Sequence, residues 1–305
     1  MDNRPASVRE DVKQWWADNP MTYGATHGVA LFVDERGVEQ RAALGTREFF
    51  EHVDETQFKW NLPLHAEGAP FGRLFPYSDF RGKRVLEVGC GMGTMAMHWA
   101  RQGAIVSACD LNPVAVEQTA ARFRLFGLTP RVFQADGGKL PFADHSFDYV
   151  YSWGVLHHSP RLDDSIAELL RVLKPSGLYG VMLYHRRSFR TLYLMRYVEG
   201  FLHQEHHFLS PLELTSRYSD GGIEEGNPHT WPVTKAEMFD VFSKHADEVK
   251  IRVFGDKEVR NNFKLLMPIL WRWVPDRVVR AWANRLGWSL WISGTKSRQN
   301  DSSVA

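Results

Sequence analysis

The chain has 305 residues, 44% apolar and 24% charged, with 37 Lys and Arg against 36 Asp and Glu. This is a soluble globular balance, and it excludes a disordered or fibrous chain and one that holds nucleic acid by bulk charge. Eleven Trp and 19 Phe form an excess of large, rigid contact surface that the fold has to place.

The length allows one large domain or two ordinary ones. Two cysteines, Cys90 and Cys109, cannot build a disulfide framework. The start, Met1-Asp2-Asn3-Arg4-Pro5, has no apolar signal segment, so a cytoplasmic location is the expectation. Residues 1–80 read as two or three helices with loops, one over Val8 to Asp18 and another over Arg47 to Trp60, forming an N-terminal helical cap.

A strand–helix alternation then begins. Arg84–Val88, Ile105–Cys109, Arg131–Ala135, Phe147–Ser152 and Leu178–Tyr184 read as short buried strands. Helical patterns separate them at Thr94–Gln102, Pro113–Phe126 and Leu162–Leu173, the last with Ile166, Leu169, Leu170 and Leu173 on one face before Pro175 and Gly177. This rhythm predicts an α/β fold with a doubly wound, mostly parallel sheet, its core at residues 81–185.

Residues 186–247 are mixed, rich in His and Arg, with a loop at Ser219 to Asn227, and form an acceptor-side insertion. A capping box at Thr234-Lys235-Ala236-Glu237 predicts a helix through Lys244. Residues 248–296 supply the last strands, Glu248–Phe254 and Trp288–Gly294. Between them runs a helix opened by Pro275-Asp276 and ended by Gly287. The sheet should therefore have seven strands, two of them contributed late, and residues 297–305 form a flexible tail. The longest apolar stretch, Phe263 to Val274, contains Lys264, Pro268 and Arg272 and is far short of the ~20 residues that span a bilayer.

The first strand runs into Glu87-Val88-Gly89-Cys90-Gly91-Met92-Gly93-Thr94 and then a helix. Glycines let a backbone approach a ligand closely, and the helix start offers free N–H groups. The pattern differs from the dinucleotide spacing, because Thr94 stands where a third, packing glycine belongs. A carboxylate at Glu87 suits a cationic ligand better than a pyrophosphate. Asp110, 21 residues after Gly89 at the end of the second strand, can accept from both hydroxyls of an unphosphorylated ribose. Asp136 in Gln134-Ala135-Asp136-Gly137 can accept from an adenine amino group. The fourth motif is the Phe147–Ser152 strand running on through Trp153-Gly154-Val155-Leu156-His157-His158.

With these four motifs in order, the stretch from Gly82 to about Tyr184 resembles a class I S-adenosylmethionine-dependent methyltransferase of the small-molecule (type 11, UbiE-like) kind. The resemblance covers about a third of the chain and implies a Rossmann-like fold. It implies that Glu87, Gly89, Cys90, Gly91 and Gly93 hold the amino-acid end of S-adenosylmethionine, and that Asp110 holds its ribose. Leu111 would lie against the adenine, Asp136 and Gly137 would meet it, and Trp153 would line the floor beside the sulfonium. An N-terminal aromatic closes over the cofactor in many such enzymes, and Tyr23 is the candidate, with core packing as the equal alternative. Trp15 and Trp16 are expected to dock the cap helix.

Methyl transfer needs alignment and exclusion of water, and a hydroxyl acceptor also needs a proton acceptor. His157, His158 and His185 lie in loops at the carboxyl ends of strands, so each is a candidate base, with a structural hydrogen bond as its alternative. Tyr184, Arg186 and Arg187 are the acceptor-binding candidates, and Arg190 and Arg196 lie in the same stretch. His203-Gln204-Glu205-His206-His207 lacks the His-Glu-x-x-His spacing, so no metal is assigned. Glu224 and Glu225 read as a solvent loop. The helix after Pro275 places Val278, Val279, Trp282 and Leu286 on one face, for packing on the sheet or on a second copy of the chain, with peripheral membrane contact as the lesser reading.

The expected activity is methyl transfer to a small-molecule acceptor: a hydroxyl of a sugar, lipid-linked intermediate or secondary metabolite. Amine or carboxyl methylation, a catalytically silent cofactor-binding protein and a nicotinamide oxidoreductase are the rival readings.

Overall fold

The computed structural model describes residues 5–19, 29–33, 39–66, 69–220, 226–255, 259–261, 264 and 269–298. Tyr23, Glu224, Glu225 and most of the tail lie outside the described residues.

The N-terminal part holds helix α1 (Pro5–Asp18), an antiparallel pair of strands β1 (Val29–Val33) and β2 (Glu39–Ala43), and helix α2 (Arg47–Trp60). The hairpin corrects the all-helical expectation for this segment. Val29-Ala30-Leu31-Phe32-Val33 is rich in β-formers, but its partner Glu39-Gln40-Arg41-Ala42-Ala43 is not, so only pairing reveals it. Helix α2 begins where Thr46 Oγ1 accepts from the Phe49 N–H at 3.3 Å.

The sheet is built from β3 (Arg84–Val88), α3 (Thr94–Arg101), β4 (Ile105–Asp110), α4 (Pro113–Leu125), β5 (Val132–Gln134), β6 (Phe147–Trp153), α5 (Leu162–Val172) and β7 (Leu173–Tyr184). After β7 come a π-type helix over Arg190–Leu202, α6 (Pro211–Ser219), α7 (Lys235–Phe242), β8 (Ala246–Phe254), α8 (Asp276–Leu286) and β9 (Ser289–Lys296). The seven strands stand in the order β5-β4-β3-β6-β7-β9-β8, and β9 runs antiparallel to both its neighbours. This is the seven-stranded, Rossmann-like arrangement expected, with the two late strands closing one edge.

Some boundaries shift for identifiable reasons. Strand β7 starts at Leu173, because Lys174-Pro175-Ser176-Gly177 is carried as a bulge between the Phe147–Leu173 and Tyr149–Leu178 pairs. Helix α7 stops at Phe242 rather than Lys244, and β8 begins two residues earlier than its apolar run. In α8 the buried residues are Val279 and Ala283, which centre the packing stripe and leave Trp282 41% exposed, against the expectation that it packs.

Successive strand residues face opposite layers. Leu86, Val88 and Val150 pack with Ile166, Leu169 and Leu170 of α5 on one face. Val85, Tyr149 and Tyr151 pack with Trp99, Phe75 and Trp291 on the other. The order reverses between β3 and β6, and a crevice opens there beyond the carboxyl ends of the strands.

Candidate active site

That crevice is a cavity of about 560 Å³. Its floor is the β3–α3 turn from Glu87 to Met92, the ends of β4 and β6, and Ala135 to Gly137 after β5. Helix α1 covers one side through Arg9, Val12, Lys13 and Trp16. Asn112 ties that helix down by donating its amide to Trp16 O at 2.7 Å.

The glycine turn is shaped by its surroundings. Gly89 has φ +81°, and a Cβ there would lie 2.3 Å from Val155 Cγ2, so the chain can pass only without a side chain. Gly91 has φ +50° and a Cβ there would meet no protein atom within 4 Å. The turn is braced from behind by Arg122 of α4, which is fully buried. Its Nη1 donates to Met92 O at 2.9 Å and to Thr94 Oγ1 at 3.0 Å, and its Nη2 forms an ion pair with Asp54 of α2.

Glu87 is 3% exposed, and among the described residues its Oε2 has no hydrogen-bond partner. Burial pushes its carboxyl up to about 8. A buried carboxyl with one oxygen free in this way is a socket for a cation. Asp110 accepts from the Gly91 N–H through Oδ2 and from the Asn112 N–H through Oδ1, each at 2.9 Å, and burial raises its carboxyl. Asp136 accepts from Gly138 N–H at 2.9 Å and pairs with Arg9 Nη1 at 3.0 Å. Cys90, Leu111, Gly137 and Trp153 also line the cavity. Trp153 is held edge-on by Phe71 at 4.9 Å and stacked by Phe254 at 5.8 Å.

Of the three histidines, the structure brings only His158 to the cavity wall. Its Nδ1 donates to His229 O at 2.9 Å, which leaves Nε2 as the ring's other nitrogen, 3.5 Å from Asp220 Oδ2. Trp16 packs against its ring at 5.2 Å. His157 is fully buried behind Tyr184, 3.9 Å ring to ring, and burial holds its pKa well below the usual value. His185 turns away under the last strand, where Nδ1 donates to Gly287 O at 3.1 Å and its own N–H donates to Trp288 O at 2.7 Å. Both are corrections to the expected positions: each follows a strand end, but burial beneath neighbouring segments keeps its ring from the cavity.

Tyr184 lines the cavity and donates its hydroxyl to Asp220. Arg186 and Arg187 do not line it, which corrects a second expectation. Arg186 clamps the start of α7, with Nη1 on Glu237 Oε1 at 2.7 Å and Nε on Pro232 O at 2.9 Å, while Arg187 is exposed. Arg190 lines the cavity instead.

Sequence reasoning missed Asp220. It is 5% exposed and its Oδ2 accepts from Asn227 Nδ2 at 3.1 Å and Ser219 Oγ at 3.0 Å. It follows α6 in a stretch that reads as loop, and no local pattern points from it to β7. The His203–His207 run does not converge: His203 meets Glu199 at 2.7 Å and His206 meets Gly200 O at 2.6 Å. Among the described residues no group of His, Cys, Asp or Glu is arranged to hold a metal ion, and no helix is long and apolar enough to cross a membrane.

Strand order, glycine turn and the carboxylates at successive strand ends are those of the class I methyltransferase fold. Residues 86–181 match the methyltransferase domain family Methyltransf_11. The chain is 38% identical over 129 residues to the "Probable phthiotriol/phenolphthiotriol dimycocerosates methyltransferase 2" of Mycobacterium ulcerans, covering 39% of this chain and 49% of that one. It is 39% identical over 104 residues to the fatty-acid O-methyltransferase of Mycolicibacterium smegmatis, covering 33% and 37%. A SAM-dependent methyltransferase structure from Methanosarcina mazei shares the fold, with a TM-score of 0.52 at 18% identity, covering 74% of this chain and 99% of that one. The chain thus spans about half or less of the length of these curated relatives.

Proposed function

We propose that this protein transfers a methyl group from S-adenosylmethionine to a hydroxyl on a lipid or lipid-linked acceptor, with His158 as the general base. The carrying observation is the layout of one cavity. A buried Glu87, its Oε2 without a partner among the described residues, and the Asp110 carboxylate lie at its glycine-turn floor, and His158 and Tyr184 lie on its wall.

The donor set suits the cofactor. Glu87 takes the ammonium end, the turn at Gly89, Cys90 and Gly91 borders the amino-acid chain, and the free lone pairs of Asp110 take the ribose hydroxyls. Gly93, expected in the same role, does not line the cavity, because its open side faces Thr119. Leu111, Asp136 and Gly137 border the adenine, where Asp136 exchanges or shares its contact with Arg9. The bound cofactor supplies an electrophilic methyl on a sulfonium. The chain's own residues then align and desolvate the acceptor, with helix α1 and Trp16 excluding water above His158. His158 Nε2, 3.5 Å from Asp220 Oδ2, takes the hydroxyl proton.

A lipid-like acceptor is supported by the apolar lining from Trp60, Leu64, Met182, Phe254 and Trp288. It is supported also by relatives whose names refer to phthiotriol dimycocerosates, fatty acids and, in Gibberella zeae, a sterol. A cytoplasmic site of action belongs to the same proposal. The test is incubation with S-adenosylmethionine and a panel of hydroxylated lipids. Release of S-adenosylhomocysteine with a methyl ether product supports the reading, and product formed only on amines or carboxylates rejects the hydroxyl assignment.

A further inference from the structure

Charged side chains line the cavity from the core, from the N-terminal segments and from the late segments. Glu87, Asp110 and Asp136 stand at or just past the ends of core strands at the glycine-turn floor, Asp220 lines the wall beside Tyr184, and Arg9, Lys13 and Arg73 come from the N-terminal segments. Three more arginines line it from the late segments: Arg190 of the π-type helix, Arg252 of β8 and Arg280 of α8.

The elements that carry them adjoin at the corner where β8 ends and β9 begins. The Arg190 guanidinium lies over the Trp288 ring at 5.6 Å. Trp288 precedes Ser289, which pairs with Phe254, and Phe254 and Arg252 share one face of β8 two residues apart. Helix α8 packs on β8 and turns Arg280 and Asn284, one turn apart, to the same cavity. Among the described residues none of the three arginines forms an ion pair. Asp276, one turn before Arg280, is taken by Arg260 at 2.6 Å. Arg190 Nη2 donates to Tyr218 O at 2.6 Å, while its Nε is buried without a partner among the described residues.

We propose that this corner is an anion site, and that the acceptor is an amphiphile carrying a carboxylate or phosphate that Arg190, Arg252 and Arg280 hold. Guanidinium groups bind such oxygens through paired, charge-assisted hydrogen bonds, and a buried unpartnered Nε is a donor lacking its acceptor. The anion is held away from the reacting atom. A track of rings leads from His158 to Tyr184 at 6.2 Å, to Trp288 at 4.3 Å and to Arg190 at 5.6 Å. The methylated hydroxyl at His158 and the anchoring anion therefore belong to different ends of one acceptor. This inference rests on the methyltransferase reading, which sets which end is reactive.

The experiment is calorimetric binding of dodecanoate, dodecyl phosphate and dodecanol to the full chain, each with and without S-adenosylhomocysteine, for wild type, Arg190→Gln and Arg280→Ala. We expect at least one anion to bind about tenfold or more tighter than the alcohol, and that advantage to fall about fivefold or more in either variant. Salt should erode it. Which anion wins separates a carboxylate from a phosphate anchor. Arg280 is exposed, so its variant keeps the test valid if Arg190→Gln misfolds. Equal binding of alcohol and anions, or an advantage that survives both substitutions, overturns the anion site. Failure of S-adenosylhomocysteine to bind overturns the methyltransferase reading instead, and the anion preference is still read without it.

Discussion

Asp110 accepts the Gly91 N–H at 2.9 Å, joining the end of β4 to the glycine turn at the end of β3. One carboxylate thus shapes the turn and stays on the cavity wall. Asp110→Ala should weaken binding of S-adenosylhomocysteine by ~1–3 kcal/mol through lost charge-assisted bonds. Asp110→Asn should recover part of that loss. Calorimetry reads both, and unchanged affinity in the alanine variant rejects the ribose role.

Glu87 gives a pH dependence of definite sign. Burial raises its carboxyl to about 8, so the folded protein binds this proton more tightly than the unfolded chain. The group's contribution to stability is therefore greatest at low pH, is lost as pH rises toward 8, and is flat above. An ammonium ligand favours the ionised form. Affinity for S-adenosylhomocysteine should then rise with pH up to about 8, by up to about tenfold for each pH unit, with a proton released on binding. Glu87→Gln should abolish that rise, weaken binding, and raise unfolding free energy at pH 8 by on the order of 1–3 kcal/mol. A pH-independent wild-type affinity rejects Glu87 as the cation's partner.

His158 and His185 separate chemistry from support. His158→Ala should lower turnover by ~10²–10⁴ with little change in cofactor affinity, as for loss of a general base. His185→Ala removes the bond to Gly287 O and should lower the melting temperature while sparing most turnover per folded molecule. Steady-state rates beside thermal melts distinguish the two, and the reverse pattern would return the base role to His185.

Arg122 carries no charge to the surface and meets Asp54, Met92 O and Thr94 Oγ1 behind the glycine turn. Arg122→Leu leaves Asp54 without its partner and should cost ~3–5 kcal/mol of stability. Asp54→Asn in the same background should restore part of it. Chemical denaturation of the single and double variants tests this, and additive losses reject the coupling.

The sheet and its cofactor end were legible because their signals are local. The core strands carry short apolar runs, and Glu87, Gly91, Asp110 and Asp136 stand at or beside strand ends by sequence position alone. The acceptor side was not, because it is assembled from distant segments. Arg186 and Arg190 lie four residues apart, yet one clamps α7 and the other enters the cavity, a difference set by packing against Glu237 and Trp288. Asp220 reaches Tyr184 across 36 residues of chain. The tryptophan surplus resolves in the same way: Trp16 and Trp288 wall the cavity, Trp291 packs against Phe75 at 5.4 Å, and Trp273 and Trp282 stay exposed.

Everything proposed for this cavity depends on its holding S-adenosylmethionine at Glu87 and Asp110. A calorimetric titration with S-adenosylhomocysteine, run beside one with NADH, tests it most directly. One saturable site for S-adenosylhomocysteine is expected, weakened in both Glu87→Gln and Asp110→Ala, with no comparable NADH binding. Tight NADH binding with no heat from S-adenosylhomocysteine would contradict it.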